Sequence, residues 1–185
     1  REMNTVRKHL SGVKGGFLAK HICPAPFVSI LLSDVIGDHP DIIASGPAVP
    51  DDTTFADALR VLEDYNLISE APERLVNYIV EGKEGKWPET PETGNPVFNN
   101  SAVLLAGSNR TALQAARSEA EEKGLTTFII TSELCGEVSD ACSSIMDTIQ
   151  EYLKNDNIKK PLCLLFGGET TVKVTGKGSG GRNQH

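Results

Sequence analysis

The stretch SAVLLAGSNRTALQAARSEAEEKGLTTFIITS, residues 101–132, decides the fold class. Its two ends, 101–107 and 126–132, are short apolar runs of the kind that form buried strands. Between them, residues 108–124 form a helical segment that ends at a glycine, the residue favoured just beyond a helix C-terminus. A strand, a helix and a second strand in this order predict a βαβ unit with parallel strands.

The alternation continues toward the C-terminus. Residues 136–154 predict another helix, and the apolar run 161–169 predicts another strand. The sequence is therefore typical of an α/β protein with a doubly wound, mainly parallel sheet and helices on both faces. Residues 170–176 differ, because apolar and polar residues alternate there, which predicts a half-exposed antiparallel strand.

The segments that precede residue 101 add further elements. Residues 2–20 predict one helix, and 26–34 predict a strand buried on both faces. A helix begins near Phe55, capped by Asp52 or Thr53, and another begins with Pro72 in its first turn.

Composition excludes several functional classes. The 185 residues carry a net charge of −7, which makes nucleic acid an improbable main partner. No apolar run approaches the roughly 20 residues needed to span a bilayer. The first residues are charged and lack the apolar core of a signal peptide. Four scattered cysteines without close pairs argue against a zinc site and fit incidental thiols of a reducing compartment.

In a doubly wound sheet, ligands bind at the carboxyl ends of strands. The first such loop is LLSDVIGDHPDIIASGPAVPDDTT, residues 31–54. Asp34 and Asp38 could hold a divalent metal, or one of them could take a proton from a hydroxyl. The backbone amides of Ser45 and Gly46 could face an anion. The alternative is a surface loop in which the acids and prolines serve turn chemistry.

Two further loops connect a strand to a helix. Ser108 and Asn109 begin a helix whose free amides suit a phosphate or carboxylate, although plain helix capping is the favoured explanation. Glu137 stands at the next strand end, where a glutamate is also common because it interacts favourably with the helix dipole.

The last loop is GGETTVKVTGKGSGGRNQ, residues 167–184. Gly176, Gly178 and Gly181 match GxGxxG formally, but the preceding strand is predicted to be half-exposed, and the position of the acidic residue, about 20 residues on, lies past the end of this sequence. The loop is not a Walker A sequence either. Its bare amides with Lys177 and Arg182 suit several phosphate oxygens, whereas a hinge or linker is the alternative. Carboxylates combined with such a cationic loop are what phosphoryl transfer requires.

Four segments resemble the glycerate 2-kinase family, the MOFRL-type glycerate kinases: NTVRKHLSGVKGG, LLSDVIGDHPDIIASGPAVPDDTTF, LCGE and FGGETTVKVTGKGSGGRNQ. The resemblance implies ATP-dependent phosphorylation of D-glycerate to 2-phosphoglycerate with Mg²⁺. It also implies a Rossmann-like N-terminal domain followed by a smaller α/β domain, with the active site between them. Residues 1–157 would belong to the latter part of the first domain and 158–185 to the beginning of the MOFRL domain.

The resemblance implies roles for individual residues. Asp34, and second Asp38, would supply the active-site carboxylates and the tentative metal ligands, and Arg182 would face phosphate or the glycerate carboxylate. Residues expected to contact substrate or phosphate are Ser45, Gly46, Ser108, Asn109, Glu137, Gly168, Glu169, Thr170, Lys177, Gly178, Gly180, Gly181 and Asn183.

The ends depart from the family pattern. His185 stands where the family continues with glutamate and a long helix, and the family's N-terminal glycine-rich loop and catalytic lysine precede the part covered. We therefore expect a segment of a longer protein that has little or no kinase activity by itself. The partners implied are ATP and D-glycerate, with a homodimer as an open alternative and either cytoplasm or mitochondrion as the compartment.

Two other functions remain open from the residues. One is a nicotinamide-dependent hydroxypyruvate reductase, which would use the formal GxGxxG match. The other is a non-catalytic chain that persists as a folded or dimerising module.

Overall fold

The computed structural model describes residues 2–177. The chain divides into two compact units, the first ending at Ala106 and the second beginning at Gly107. The domain boundary expected between residues 157 and 158 stays a prediction. Within the described residues, no helix combines the length and the apolar character needed to cross a bilayer.

The first unit contains four helices, two strands that lie side by side, and two short 3₁₀ turns. The helices are α1 (Glu2–His9), α2 (Phe17–Ile22), α3 (Phe55–Asp64) and α4 (Glu73–Lys83). The strands are β1 (Phe27–Leu32) and β2 (Ser101–Gly107), and the turns are Ile43–Ser45 and Pro96–Phe98.

The single helix expected over residues 2–20 is wrong, because the chain forms α1 and α2 with a break between them. Helix α1 ends at His9. Gly15 and Gly16, directly before α2, have φ values of 55° and 83°, a left-handed conformation that a continuous right-handed helix does not contain. The break turns the chain so that residues 14–18 run beside the loop that follows β1.

The core of the first unit is formed by α3 and α4. Its buried side chains are Phe55, Ala58, Leu59, Leu62 and Ile79. The spacing predicted for α3 is confirmed, but its cap is Thr54 rather than Asp52 or Thr53. The Thr54 hydroxyl accepts from the Asp57 amide at 3.2 Å, and the Asp57 carboxylate accepts from the Thr54 amide at 3.0 Å, which forms a capping box.

The expectation that β1 is buried on both faces is wrong for this chain. Its residues alternate, and Val28, Ile30 and Leu32 are 61%, 69% and 78% exposed. A continuous apolar run predicts that both faces are covered. Residues 2–177 cover only one of them.

The second unit has the βαβ order that the sequence predicts. Its elements are α5 (Asn109–Glu122), β3 (Thr126–Leu134), α6 (Val138–Lys154) and β4 (Leu162–Gly168). Strands β3 and β4 pair in parallel, from Thr126 opposite Leu162 to Leu134 opposite Gly168, and α5 packs on both strands. Apolar strands joined by helices thus form the predicted α/β fold, with β3, α6 and β4 as a βαβ unit. The parallel pairing expected for the strands of residues 101–132 is not observed within the described residues, because β2 pairs with β1 and not with β3.

The antiparallel strand expected over residues 170–176 is wrong. Only Thr171 forms a bridge there, and it pairs in parallel with Glu137. The alternation of Val172 and Val174 with polar residues reflects an extended, exposed segment rather than a strand of the sheet. This segment continues in the direction of β4, so it cannot return antiparallel to it.

Candidate active-site loops

The loop after β1 folds back on itself within five residues. The Val35 amide donates to the Ser33 hydroxyl at 3.2 Å, and the Asp38 amide donates to the Val35 carbonyl at 3.1 Å. Gly37 and Asp38 have φ values of 81° and 51°, and aspartate is among the residues that tolerate this left-handed conformation. The turn brings the backbones of Asp38 and Val35 to within about 7 Å, so Asp38 closes a turn that begins one residue after Asp34.

Both carboxylates of this turn can reach solvent, since Asp34 is exposed and Asp38 is half-buried. Across residues 2–177, no group of three or more His, Cys, Asp or Glu side chains could hold a metal ion. Mg²⁺ in phosphoryl-transfer sites is commonly held by one or two protein carboxylates together with substrate phosphates. A metal ion at this loop would therefore need oxygen ligands from substrate or water in addition to these carboxylates.

Helix α1 and the segment between α1 and α2 hold the next part of the loop. The Asn4 amide group donates to the Ile42 carbonyl at 3.4 Å, and the Asn4 carbonyl accepts from the Ser45 hydroxyl at 3.1 Å. The ammonium group of Lys14 donates to the Ala44 carbonyl at 3.0 Å. The NTVRKHLSGVKGG segment therefore supports the acidic loop.

The loop itself is strained at residues 44–46. Ala44 and Ser45 have φ values of 52° and 63°, each costing roughly 1–2 kcal/mol for a residue other than glycine. The carbonyls of Ser45 and Gly46 accept from the amides of Gly15 and Gly16 at 3.0 and 2.8 Å. These bonds hold the unusual conformation in place.

The interpretation that the amides of Ser45 and Gly46 face an anion is wrong. They donate to the carbonyls of Ile42 and Ile43, each at 2.9 Å, and Ser45 is only 1% exposed. A ligand cannot reach groups that are buried and already bonded. Ser45 and Gly46 shape the loop instead of forming its surface.

A buried ion pair, which the sequence did not reveal, fastens α1 to the same region. The Nζ of Lys8 lies 3.0 Å from an oxygen of Asp51 and 3.9 Å from an oxygen of Asp41. The side chains of Lys8 and Asp51 are 5% and 2% exposed. Lysine is rarely buried, so no periodicity could have identified this position.

Two further acids close in sequence to Asp51, which are Asp52 and Asp57, also have structural partners. The Asp52 carboxylate accepts from the amide and hydroxyl of Thr93 at 2.8 and 2.9 Å, and these hydrogen bonds lower the pKa of Asp52. The Thr54 hydroxyl donates to Asp57 at 2.7 Å, and this bond is the main cause that lowers the pKa of Asp57. Hydrogen bonds to the charged form explain both directions.

In the second unit, the predicted loops meet at the carboxyl ends of β3 and β4. The Asn109 side chain donates to the Ser132 carbonyl at 2.6 Å, and the same side chain occupies the space beside Gly167. Ser108 accepts from the Thr111 amide at 3.3 Å as an ordinary helix cap. The structure therefore assigns capping and packing contacts to Ser108 and Asn109, and their phosphate role stays a prediction.

The segment after β4 lies against the loop after β3. Gly168 has a φ of 148°, and a side chain there would overlap the backbone of Leu134. The Glu169 amide donates to the Leu134 carbonyl at 2.8 Å, which leaves the Glu169 carboxylate exposed at the strand end. LCGE and GGET are consequently neighbours in space although they are distant in sequence.

The rest of the glycine-rich loop is only partly described. Lys177 is exposed and is the last residue described. The predicted residues Gly178, Gly180, Gly181, Arg182 and Asn183 lie outside the described residues.

A separate cleft of about 630 Å³ in the second unit contains no residue predicted from the sequence. It lies between α5 and β3, and Arg117 in its wall pairs with Glu121 at 2.7 Å. The cleft is thus distinct from the loops at the strand ends.

Comparison with known proteins connects these loops to one enzyme family. A family profile described as a domain of unknown function, DUF4147, matches residues 1–80. The chain is 45% identical to the D-glycerate 2-kinase of Thermotoga maritima over 99% of its own length and 41% of that protein. It is 43% identical to the glycerate 2-kinase of Pyrococcus horikoshii, again over 99% of this chain and 41% of the relative.

Solved structures agree with this relationship. The crystal structure of glycerate kinase from Thermotoga maritima superposes with a TM-score of 0.76, covering 99% of this chain and 41% of that one at 44% identity. A protein of Agrobacterium vitis, described as a candidate hydroxypyruvate reductase, is 38% identical over 98% of this chain and 40% of its own length. The chain spans about two fifths of the length of the relatives that it matches. Over essentially its whole length, the chain is similar in sequence to glycerate 2-kinases.

Proposed function

We propose that this chain contributes to a glycerate 2-kinase, which transfers the γ-phosphoryl group of ATP to the 2-hydroxyl of D-glycerate. The observation that carries the proposal is its 45% identity to a D-glycerate 2-kinase across 99% of the chain. In α/β proteins, the loops at the carboxyl ends of strands are where ligands bind.

In the proposed reaction, the 2-hydroxyl oxygen of glycerate attacks the γ-phosphorus while the bond to the departing ADP oxygen breaks. The hydroxyl proton leaves to a carboxylate, and the turn with Asp34 and Asp38 offers two that can reach solvent. The exposed Asp34 is assigned the direct contact with the reacting hydroxyl, and the half-buried Asp38 is its companion.

Charge on the phosphates needs compensation during the transfer. We assign this role to Lys177 and Arg182 of the glycine-rich loop, with the amides of Gly178, Gly180, Gly181 and Asn183. Glu169 and Thr170 would line the same region next to Gly168 at the end of β4. The combination of backbone amides with two cations suits a triphosphate.

Mg²⁺ would be held by Asp34 and Asp38 together with phosphate oxygens. When bound, it would neutralise part of the phosphate charge. The turn that joins the two acids supports this assignment, because one or two carboxylates are the usual protein share of such a site.

A second function, reduction of hydroxypyruvate with a nicotinamide cofactor, has one observation in its favour. The relative from Agrobacterium vitis carries that description at 38% identity. Against it, residues 172–175, which directly precede Gly176, form no strand. The strand that should lead into a dinucleotide-binding fingerprint is therefore missing at this position.

Location and assembly belong to the same proposal. We assign the enzyme to the cytoplasm, with small-molecule substrates as partners, and leave monomer and homodimer to be distinguished by sedimentation.

The test uses a protein of the relatives' length that contains this sequence. Incubation with Mg-ATP and D-glycerate should release ADP, and Arg182→Ala should lower the rate by about 10²- to 10³-fold. Oxidation of NADH with hydroxypyruvate, without release of ADP from ATP and glycerate, would instead establish the reductase.

A further inference from the structure

Residues 169–173, which follow β4, are held by a ladder of hydrogen bonds that continues beyond the end of the sheet. The amides of Glu169 and Thr171 donate to the carbonyls of Leu134 and Gly136, each at 2.8 Å. The Val138 amide donates back to the Thr171 carbonyl at 2.9 Å. Alternate residues of the 169–171 segment are therefore bonded to the loop after β3 as in a parallel sheet.

Beyond Gly136, the segment that follows β3 has no further free carbonyl for this ladder. Helix α6 begins at Val138, and the Glu137 carbonyl accepts from the Ala141 amide at 3.0 Å as the first bond of the helix. The next amide of the ladder, that of Lys173, needs another acceptor. The Glu137 carboxylate supplies it, at 3.0 Å.

The side chain of Glu137 makes no capping bond to its own helix. A residue at the N-cap usually turns its side chain back to the first helical amides. Here the carboxylate points across to a backbone amide 36 residues later. Its described contact is thus with the chain that leads to Lys177.

We propose that Glu137 is a positioning residue that holds residues 171–173, the segment that leads to Lys177. This replaces the expectation that Glu137 itself contacts phosphate. The proposal rests on the proposed function in one respect: Lys177, to which this segment leads, is one of the cations assigned to ATP.

The chemistry of the bond suggests a discriminating pair of variants. Glu137→Gln keeps a carbonyl oxygen at the same reach, so it can still accept from the Lys173 amide while the charge is lost. Glu137→Ala removes the acceptor. If Glu137 has a positioning role, the Glu137→Gln protein should behave like the unchanged protein. If Glu137 accepts a proton or binds a metal, both variants should lose activity to the same extent. Glu151→Ala, in an exposed position of the same helix, is the matched control.

The first readout is amide hydrogen exchange in the 185-residue chain. Glu137→Ala should raise the exchange rate at Lys173 by about 2- to 10-fold, the range expected from loss of one hydrogen bond. Glu137→Gln and Glu151→Ala should change it by less than about 2-fold. Thr171 should stay protected in every variant, because its acceptor is the Gly136 carbonyl.

The second readout is kinetic, in the protein of the relatives' length. Glu137→Ala should raise the KM for ATP by about 2- to 10-fold with a smaller change in kcat, and Gln should restore it. Equal loss of kcat in Ala and Gln, or unchanged exchange at Lys173 in Ala, would overturn the proposal. If the unchanged protein releases no ADP, the proposed function fails. The exchange rate at Lys173 then tests by itself whether Glu137 holds this segment.

Discussion

The Nζ of Lys8 in α1 lies 3.0 Å from an oxygen of Asp51, and both side chains are almost completely buried. The same Asp51 oxygen accepts from the amide and hydroxyl of Thr53 at 3.2 and 2.8 Å. Among the described residues, the other Asp51 oxygen is buried without a hydrogen-bond partner. One charge pair thus joins α1 to the segment that enters α3.

Lys8→Met should lower the free energy of unfolding by about 3–5 kcal/mol, because the Asp51 charge would remain buried without its partner. Urea denaturation of the 185-residue chain measures this change. Lys123→Met, which removes an exposed pair with Glu119, should cost about 0–1 kcal/mol. Adding Asp51→Asn to Lys8→Met should recover part of the loss. A Lys8→Met variant as stable as the unchanged chain would contradict this role.

Gly168→Ala should destabilise the second unit by at least about 2 kcal/mol, through an unfavourable φ and overlap with the Leu134 backbone. Two other glycines separate these causes. Gly124 has a φ of 82° in open space, so alanine there should cost about 1 kcal/mol from the backbone alone. Gly176 has open space and no such φ, so alanine there should be nearly neutral. Denaturation midpoints should follow this order, and equal effects at all three positions would show that the close approach of β3 and β4 is not required.

Asp57 should make the stability of α3 depend on pH. Its pKa is lowered in the folded chain, chiefly by the Thr54 hydroxyl, so the charged form is favoured by folding. This contribution is complete above the unfolded value of 3.8 and is lost as the pH falls through the lower, folded pKa.

The comparison that isolates this effect is with Asp57→Asn. The difference in unfolding free energy between the two chains should be constant from pH 7 to about 5 and should shrink below about pH 4. A difference that grows on acidification would mean that the pKa is raised. Separately, Thr54→Ala should cost about 1 kcal/mol at neutral pH.

The βαβ unit of β3, α6 and β4 was predictable because strand and helix differ in hydrophobic period. The pairing of β2 with β1 was not, because a hydrophobic period indicates a strand but not its neighbour in the sheet. The break between α1 and α2 was not predictable either, because Met3, Val6, Leu10 and Val13 keep a helical spacing across the end of α1. The exposed face of β1 was not predictable from sequence. A continuous apolar run indicates that both faces of a strand need to be covered, but residues 2–177 cover only one face of β1.

For the candidate site, the strand-end rule assigned LCGE and GGET each to the carboxyl end of a strand, and the structure shows that the two loops are neighbours there. The hydrogen-bond partner of each polar side chain could not be predicted from the sequence. Ser45 and Glu137 were both expected to contact ligand, yet Ser45 is bonded to Asn4 and Glu137 to the Lys173 amide. Such pairings span 36 to 41 residues and follow from tertiary contacts that no local pattern encodes.

The central claim, that the acidic turn after β1 serves transfer of phosphate to glycerate, is tested most directly by phosphorus NMR. The protein of the relatives' length would be incubated with Mg-ATP and D-glycerate, beside Asp34→Asn and the exposed control Asp147→Asn. We expect 2-phosphoglycerate and ADP from the unchanged protein and the control, and a rate about 10²- to 10⁴-fold lower from Asp34→Asn. Absence of a phosphorylated product from the unchanged protein, or equal rates in Asp34→Asn and the control, would contradict the account.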